Sequence, residues 1–299
     1  MTLIKSISGF RGTIGGQAGD NLTPIDTVLF ASAFGAWLKP QHPSQKIKVV
    51  VGRDARLSGP VVSNLVVNTL LALGIDVIDL GLSTTPTVEI AVPMEKAHGG
   101  IILTASHNPK QWNALKLLNH RGEFISAIAG KEVLDLCESK SFEYAAVDDL
   151  GTCTHNDSYL QKHLDAILAL PLVNRNAIAQ ADFKIVVDAV NSTGGVFVPA
   201  LLRALGVQQI IELYCEPNGE FPHNPEPLPE HLVDLSSRTV SENAHLGITV
   251  DPDVDRLALV CEDGSMFGEE CTLVAVADYV LSKTPGPTVS NLSSTRALR

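Results

Sequence analysis

A chain of 299 residues, with 45% apolar and only 18% charged side chains, has the length for two domains of ordinary size and the apolar content to fill their cores, which excludes disorder as its main state. Its 22 basic residues stand against 33 acidic ones, and a net charge of −11 repels a nucleic-acid backbone or an anionic membrane while leaving room for a local basic pocket that takes a small phosphorylated substrate. Five widely spaced cysteines with no C-x-x-C pair, no signal-peptide core and no uninterrupted apolar run of about 18 residues exclude a disulfide framework, a zinc cluster and a membrane span, and predict a soluble cytoplasmic protein.

The first stretch of interest is S-G-F-R-G-T-I-G-G, residues 8–16. Its glycines allow a backbone to come close to a ligand, and Arg11 can pair with a phosphate through two N–H groups. Residues 47–81 then read as strand, polar loop, helix and strand: I-K-V-V-V-G-R-D-A-R-L-S-G, VVSNLVVNTLLALG and DVIDLG. In its loop, Arg53, Asp54 and Arg56 fit either a ligand-binding turn or a structural ion pair at a helix entrance.

After the apolar Ile101-Ile102-Leu103 comes T-A-S-H-N-P-K-Q-W-N-A-L-K, residues 104–116. Ser106 falls at a strand end, and Pro109 restricts Asn108 and delays any helix, so the serine sits at a loop tip. These residue types also make an ordinary turn. The stretch is not a G-x-S-x-G elbow, which removes the usual support for a serine hydrolase using Ser106 and His107.

Residues 142–158 break the apolar periodicity and read as a connection, placing a domain boundary near 150. The strand–loop–helix–strand pattern returns at 183–213 as F-K-I-V-V-D-A-V-N-S-T-G-G, VFVPALLRALG and QQIIEL. A weaker third copy runs from L-G-I-T-V-D-P-D-V-D-R through L-A-L-V to the helix candidate EECTLVAVADYVLSK and the strand-like P-T-V-S-N-L-S-S-T. This grammar predicts an α/β protein: two complete domains, 1–150 and 151–260, with mixed sheets flanked by helices, and in 261–299 the beginning of a third similar domain. Chemistry is expected at the C-terminal ends of the strands.

Asp251, Asp253 and Asp255 alternate in D-P-D-V-D-R, so three carboxylates can converge on one cation, and an all-oxygen set suits Mg²⁺ or Ca²⁺. With Glu262 they also fall at positions 1, 3, 5 and 12 of an EF-hand loop. Against that, Arg256 stands where such a loop needs glycine, and the flanks look like strands. A solvated acidic turn is the third alternative.

In order and approximate spacing, S-G-F-R-G, G-R-D-A-R-L-S-G, T-A-S-H-N-P with N-A-L-K, V-D-A-V-N-S-T-G-G, F-P-H-N-P-E-P, D-P-D-V-D-R and D-G-S-M-F-G-E-E together resemble the α-D-phosphohexomutases across nearly all 299 residues. The resemblance implies an intramolecular phosphotransferase that interconverts hexose 6-phosphate and 1-phosphate. Ser106 would carry the phosphoryl group, a hexose bisphosphate would be both intermediate and activator, and Mg²⁺ would sit on Asp251, Asp253, Asp255 and the Ser106 phosphate. Arg11 and Lys116 match positions beside the phosphoserine, His107 one near the reacting oxygens, and Arg256 one that lines the substrate site. Asn113-Ala114 replaces the commoner Asn-Gly, and Trp112 a commoner tyrosine, which resembles a phosphoglucosamine or phosphomannose mutase subgroup.

The family has four domains, with a G-E-x-S-G-H sugar loop and an R-x-S-G-T-E-P phosphate loop in the third and fourth, and neither motif occurs in these residues. The expectation is therefore an N-terminal part of such an enzyme with little turnover by itself. Its rival is a non-catalytic homologue that binds a phosphosugar or a cation. Which hexose phosphate is preferred, and the oligomeric state, are not legible in the sequence.

Overall fold

The computed structural model describes residues 1–6, 9–43 and 45–290; Ser8 of the first glycine-rich stretch and residues 291–295 of the expected last strand lie outside the described residues. The first half of the chain runs β1 (Ile4–Ser6), β2 (Gly9–Thr13), α1 (Pro24–Leu38), β3 (Lys48–Arg53), α2 (Gly59–Ala72), β4 (Asp76–Leu82), α3 (Thr85–Met94), β5 (Gly99–Leu103), β6 (Trp112–Leu118), α4 (Ala127–Ser139) and β7 (Cys153–His155). The rest comprises α5 (Tyr159–Leu168), α6 (Arg175–Gln180), β8 (Lys184–Asp188), α7 (Gly194–Leu205), β9 (Gln209–Leu213), α8 (Val233–Ser241), β10 (Leu246–Val250), β11 (Leu257–Cys261) and α9 (Glu269–Lys283).

Two mixed sheets carry the α/β architecture that the strand–loop–helix grammar predicts. The first has the order β1-β2-β6-β5-β3-β4-β7, the second β11-β10-β8-β9. In β3 and β5 the runs Val49-Val50-Val51 and Ile101-Ile102-Leu103 are buried throughout, as expected of central strands covered on both faces. One face of the first sheet packs through Val49, Val51 and Ile101 on Phe30, Phe34, Val66 and Leu70 of α1 and α2; the other packs through Val50 and Ile102 on Val88 and Val92 of α3. The second sheet is covered likewise, with Val198 and Leu202 of α7 on one side and Leu235 of α8 on the other. Helix α1 starts where the sequence dictates: Thr23 and Asp26 form a reciprocal capping box, and Pro24 occupies the first turn.

Three details depart from the sequence reading. Residues 142–158 are not only a connection, since Cys153–His155 pairs parallel to β4 as the edge of the first sheet, so a division at 150 falls before that sheet's last strand. The third repeat of the pattern is a hairpin: β10 and β11 pair antiparallel, because the loop 251–256 is far shorter than a parallel crossover requires. In S-G-F-R-G, Gly9 serves strand pairing, for at φ 138° a Cβ would lie 2.2 Å from the Leu115 carbonyl oxygen of β6. Residues 287–290 carry no regular structure.

The C-terminal ends of the parallel strands in the two sheets meet. Ser192 Oγ accepts from Ala55 N at 3.2 Å and donates to the Pro252 carbonyl at 2.7 Å, which ties the loop after β3 to the loop after β10. Thr85 N, at the start of α3, donates to the Asp253 carbonyl at 2.8 Å. Gly219 closes the contact: its φ is 76°, and an added Cβ would stand 2.1 Å from the Ala55 carbonyl oxygen. Gly219→Ala therefore has to push the two units apart as well as hold a left-handed backbone. We expect it to lower stability by about 2–4 kcal/mol in urea denaturation, where an unchanged midpoint would show that the contact yields freely.

Candidate active site

Ser106 emerges from β5 with φ 49°, a left-handed conformation that a serine adopts only when its surroundings impose it. The cause is Arg56, whose side chain is 0% exposed. Its guanidinium donates to four backbone carbonyls of the serine loop: Ser106 and Asn108 through Nη2, both at 2.6 Å, and Pro109 and Trp112 through Nη1 at 2.7 and 3.0 Å. Arg56 Nε and the Arg56 backbone N–H both donate to the buried Asp54 carboxylate at 3.0 Å. The same carboxylate accepts from Thr104 Oγ1 at 2.7 Å, and Thr104 Oγ1 accepts from Ser106 N at 2.9 Å. The ion pair in G-R-D-A-R is thus structural, as one of the two sequence readings had it, and it also sets the conformation of the T-A-S-H-N-P loop.

That loop aims the serine at the hairpin of the other sheet. Ser106 Oγ donates to Asp251 Oδ2 at 2.6 Å and lies 3.4 Å from both Asp255 Oδ1 and His107 Nδ1. The strong partner of the hydroxyl is therefore a carboxylate, which does not fit a serine hydrolase using His107 as base. Asp251 Oδ1 accepts from the backbone N–H groups of Asp255 and Arg256, both at 3.1 Å, folding D-P-D-V-D-R into a tight loop. Its flanks are the strands β10 and β11, and with no helix on either side the EF-hand alternative does not apply.

Each of the three aspartates offers an oxygen within 4.8 Å of the others, with Asp251 and Asp253 buried. Burial, then the neighbouring Asp253 and Asp255, push Asp251 up to about 8. Asp253 moves the other way: burial opposes its charge, but Lys116 outweighs it and holds the carboxyl below its usual range. Lys116 reaches from β6 to Asp253 Oδ2 at 2.7 Å and Asp255 Oδ2 at 2.8 Å, and although its own burial favours the neutral amine, the two carboxylates raise its pKa and keep it charged. Asp253 Oδ2 also accepts from Thr85 Oγ1. Asp253 Oδ1, in contrast, is buried and has no hydrogen-bond partner among the described residues. A buried carboxylate oxygen left over in an all-oxygen cluster fits a small hard cation.

The other expected site residues surround a cavity of about 300 Å³ lined by Arg11, Ser106, His107 and Lys116. Arg11 is exposed on β2. Burial and then Arg256 lower the pKa of His107. Arg256 does not line that cavity; its Nη1 is 3.6 Å from Glu226 Oε1, at the end of F-P-H-N-P-E-P. Sequence reasoning missed Thr85, Thr104 and Ser192, common residue types whose roles appear only when the loops are brought together.

Residues 4–144 match the profile of phosphoglucomutase/phosphomannomutase alpha/beta/alpha domain I, and residues 161–264 match that of domain II. The chain belongs to the phosphoglucomutase/phosphomannomutase family. It is 34% identical over 278 residues to a phosphoglucomutase/phosphomannomutase of Thermococcus kodakarensis, covering 92% of this chain and 60% of the relative. It is 34% identical over 254 residues to a phosphoglucomutase of Neisseria gonorrhoeae, covering 84% and 53%. A phosphoglucomutase/phosphomannomutase family protein from Burkholderia thailandensis superposes with a TM-score of 0.79 at 29% identity, over 95% of this chain and 60% of that one. The chain thus spans about three fifths or less of the length of these relatives.

The cradle makes a quantitative demand. Arg56→Met strands the buried Asp54 carboxylate and four carbonyls, and should cost about 3–5 kcal/mol in urea denaturation. Adding Asp54→Asn should restore a measurable part of that loss, because the remaining amide no longer buries an unpaired charge; strictly additive losses would show that the two side chains are not coupled.

Proposed function

We propose that this chain carries the phosphoryl-transfer machinery of a phosphohexomutase, with Ser106 as the residue that accepts and donates the phosphoryl group. The observation that supports it most is the 2.6 Å hydrogen bond from Ser106 Oγ to Asp251 Oδ2, which sets a hydroxyl against a cluster of carboxylates otherwise hard to explain in a folded core. A purely binding protein has no need of a nucleophile held in a left-handed conformation by a buried arginine.

In this reading Asp251, Asp253 and Asp255 hold Mg²⁺, with Asp253 Oδ1 as its most available ligand. The ion supplies neutralisation of the charge that spreads over the transferring phosphoryl group. Ser106 Oγ forms the bond to phosphorus as the bond from phosphorus to the sugar oxygen breaks, and the serine hydroxyl proton, held toward Asp251 Oδ2, ends on the departing sugar oxygen as its hydroxyl. Lys116, kept charged by its carboxylate partners, acts as a cation toward the equatorial oxygens rather than as a base. Arg11 lines the same cavity for the same purpose, and His107 stands beside Ser106 near the reacting oxygens. The substrate in this reading is a hexose phosphate, with glucosamine, mannose and glucose phosphates as the candidates.

The test is intact-protein mass spectrometry after incubation with Mg²⁺ and the 1,6-bisphosphate of glucose or glucosamine. The mass should rise by one phosphate located on Ser106, and Ser106→Ala should take none. Label that persists in Ser106→Ala overturns the assignment of the nucleophile, and bisphosphate binding with no label in the unaltered chain favours the binding-only homologue.

A further inference from the structure

The F-P-H-N-P-E-P stretch, residues 221–227, is part of a loop that leaves the second sheet and reaches the serine cradle of the first. Gly219 abuts the Ala55 carbonyl, Glu220 pairs with Lys110 at 2.9 Å, and the Phe221 ring lies 5.2 Å from Cζ of Arg56, over the guanidinium that holds the Ser106 loop. Farther along, Glu226 faces Arg256. On its own side the loop is held at its two ends by Asn191, which bonds the backbone of Gly219 and Glu220, and by His231 against the Glu226 carbonyl, and in its middle by His223.

His223 Nε2 lies 3.0 Å from Asp188 Oδ2 at the end of β8, and Nδ1 lies 2.8 Å from the Asn224 carbonyl oxygen. A carbonyl only accepts, and a carboxylate only accepts, so both ring nitrogens have to carry protons for both bonds to exist. Asp188 is itself fixed, its Oδ1 accepting from Val190 N at 3.0 Å. Tyr214, past the end of β9, sets its ring edge-on to the imidazole at 5.8 Å and donates to Asp234 of α8 at 2.7 Å, so the charged groups facing His223 from the surrounding elements are Asp188 and Asp234. We propose that His223 is a positioning residue: as an imidazolium bridging Asp188 and the Asn224 carbonyl, it clasps residues 219–227 over the Arg56–Ser106 cradle, and the clasp loosens when the ring loses a proton. The consequence for catalysis rests on the phosphoryl-transfer reading above, but the clasp itself does not.

Burial disfavours the charged ring, yet the hydrogen bond to Asp188 and its charge outweigh that, and the pKa of His223 rises above the ordinary histidine value of 6.5. A group raised in the folded state stabilises it fully below its unfolded pKa, and loses that contribution as pH climbs through the folded one. The clasp is therefore tight below the ordinary histidine value and fades as pH climbs through the raised one.

The test is NMR of the ¹⁵N-histidine-labelled chain, with amide exchange of residues 219–227 corrected for intrinsic rates. The expected result is a His223 ring protonated at both nitrogens at pH 6.5, titrating above 6.5, with loop protection falling by up to about tenfold per pH unit as pH climbs from 6.5 to that midpoint and levelling off beyond it. Asp188→Asn should move the titration down. His223→Gln, which keeps an amide donor for Asp188, should make loop protection independent of pH and should still accept phosphate at Ser106. In the unaltered protein the rate of Ser106 labelling should fall more over the same pH range than it does in His223→Gln, where only groups of the site such as Asp251 still titrate. A neutral His223 at pH 6.5, or loop protection unmoved through its titration, overturns the proposal. Failure of Ser106 to take label at any pH sinks the phosphoryl-transfer reading instead, and the NMR result still decides the clasp.

Discussion

The guanidinium of Arg56 is the constraint on which the geometry of the site depends. A loop that must present a serine in a left-handed conformation carries backbone carbonyls that cannot pair with one another, and burying them unpaired would cost more than the loop's few apolar contacts return. Arg56 resolves this with planar donors that never deprotonate and reach four carbonyls at once, a task that a lysine ammonium with three donors cannot reproduce. The cost of burying that charge is offset by Asp54, and Asp54 passes the constraint through Thr104 back to the Ser106 amide. The closed circuit makes the serine's direction a property of the core rather than of a surface loop.

The second sheet contributes what the first lacks. Its hairpin brings two buried carboxylates and a third, exposed one to the serine hydroxyl; burial and then the neighbouring carboxylates push Asp251 toward neutrality, while Lys116 from across the interface holds Asp253 below its usual range. Lys116 thus links the units electrostatically, as Ser192, Thr85 and Gly219 link them sterically and through hydrogen bonds. Neither unit alone sets Ser106 and Lys116 against the carboxylate cluster.

Much of this was legible in the sequence, for definite reasons. The buried runs Val49-Val50-Val51 and Ile101-Ile102-Leu103 are read correctly because central strands need apolar side chains on both faces, and helix α9 coincides with EECTLVAVADYVLSK. The antiparallel pairing of Leu246–Val250 with Leu257–Cys261 was obscured by a local likeness to a parallel unit, and only the loop length between them argues otherwise. At the site, Ser106 and the three aspartates stand out as motifs and do converge, as do Arg11, His107 and Lys116 around the cavity. Arg56 was visible only as one half of an ion pair, because its other partners are backbone carbonyls, which have no signature in a sequence. Thr85 and Ser192 act across about 168 and 60 residues of chain, a separation that residue spacing alone cannot bridge.

The central claim is that the cradle and the hairpin together form one cation-binding, nucleophile-bearing site. Anomalous diffraction from crystals of the chain grown with Mn²⁺, a stand-in for a hard oxygen-seeking cation, tests it most directly. The account predicts a peak in contact with Asp251, Asp253 and Asp255, with Asp253 Oδ1 among the ligands and Ser106 Oγ alongside. A saturating ion bound elsewhere, with Lys116 still bridging Asp253 and Asp255 and Asp253 Oδ1 untouched, would contradict it.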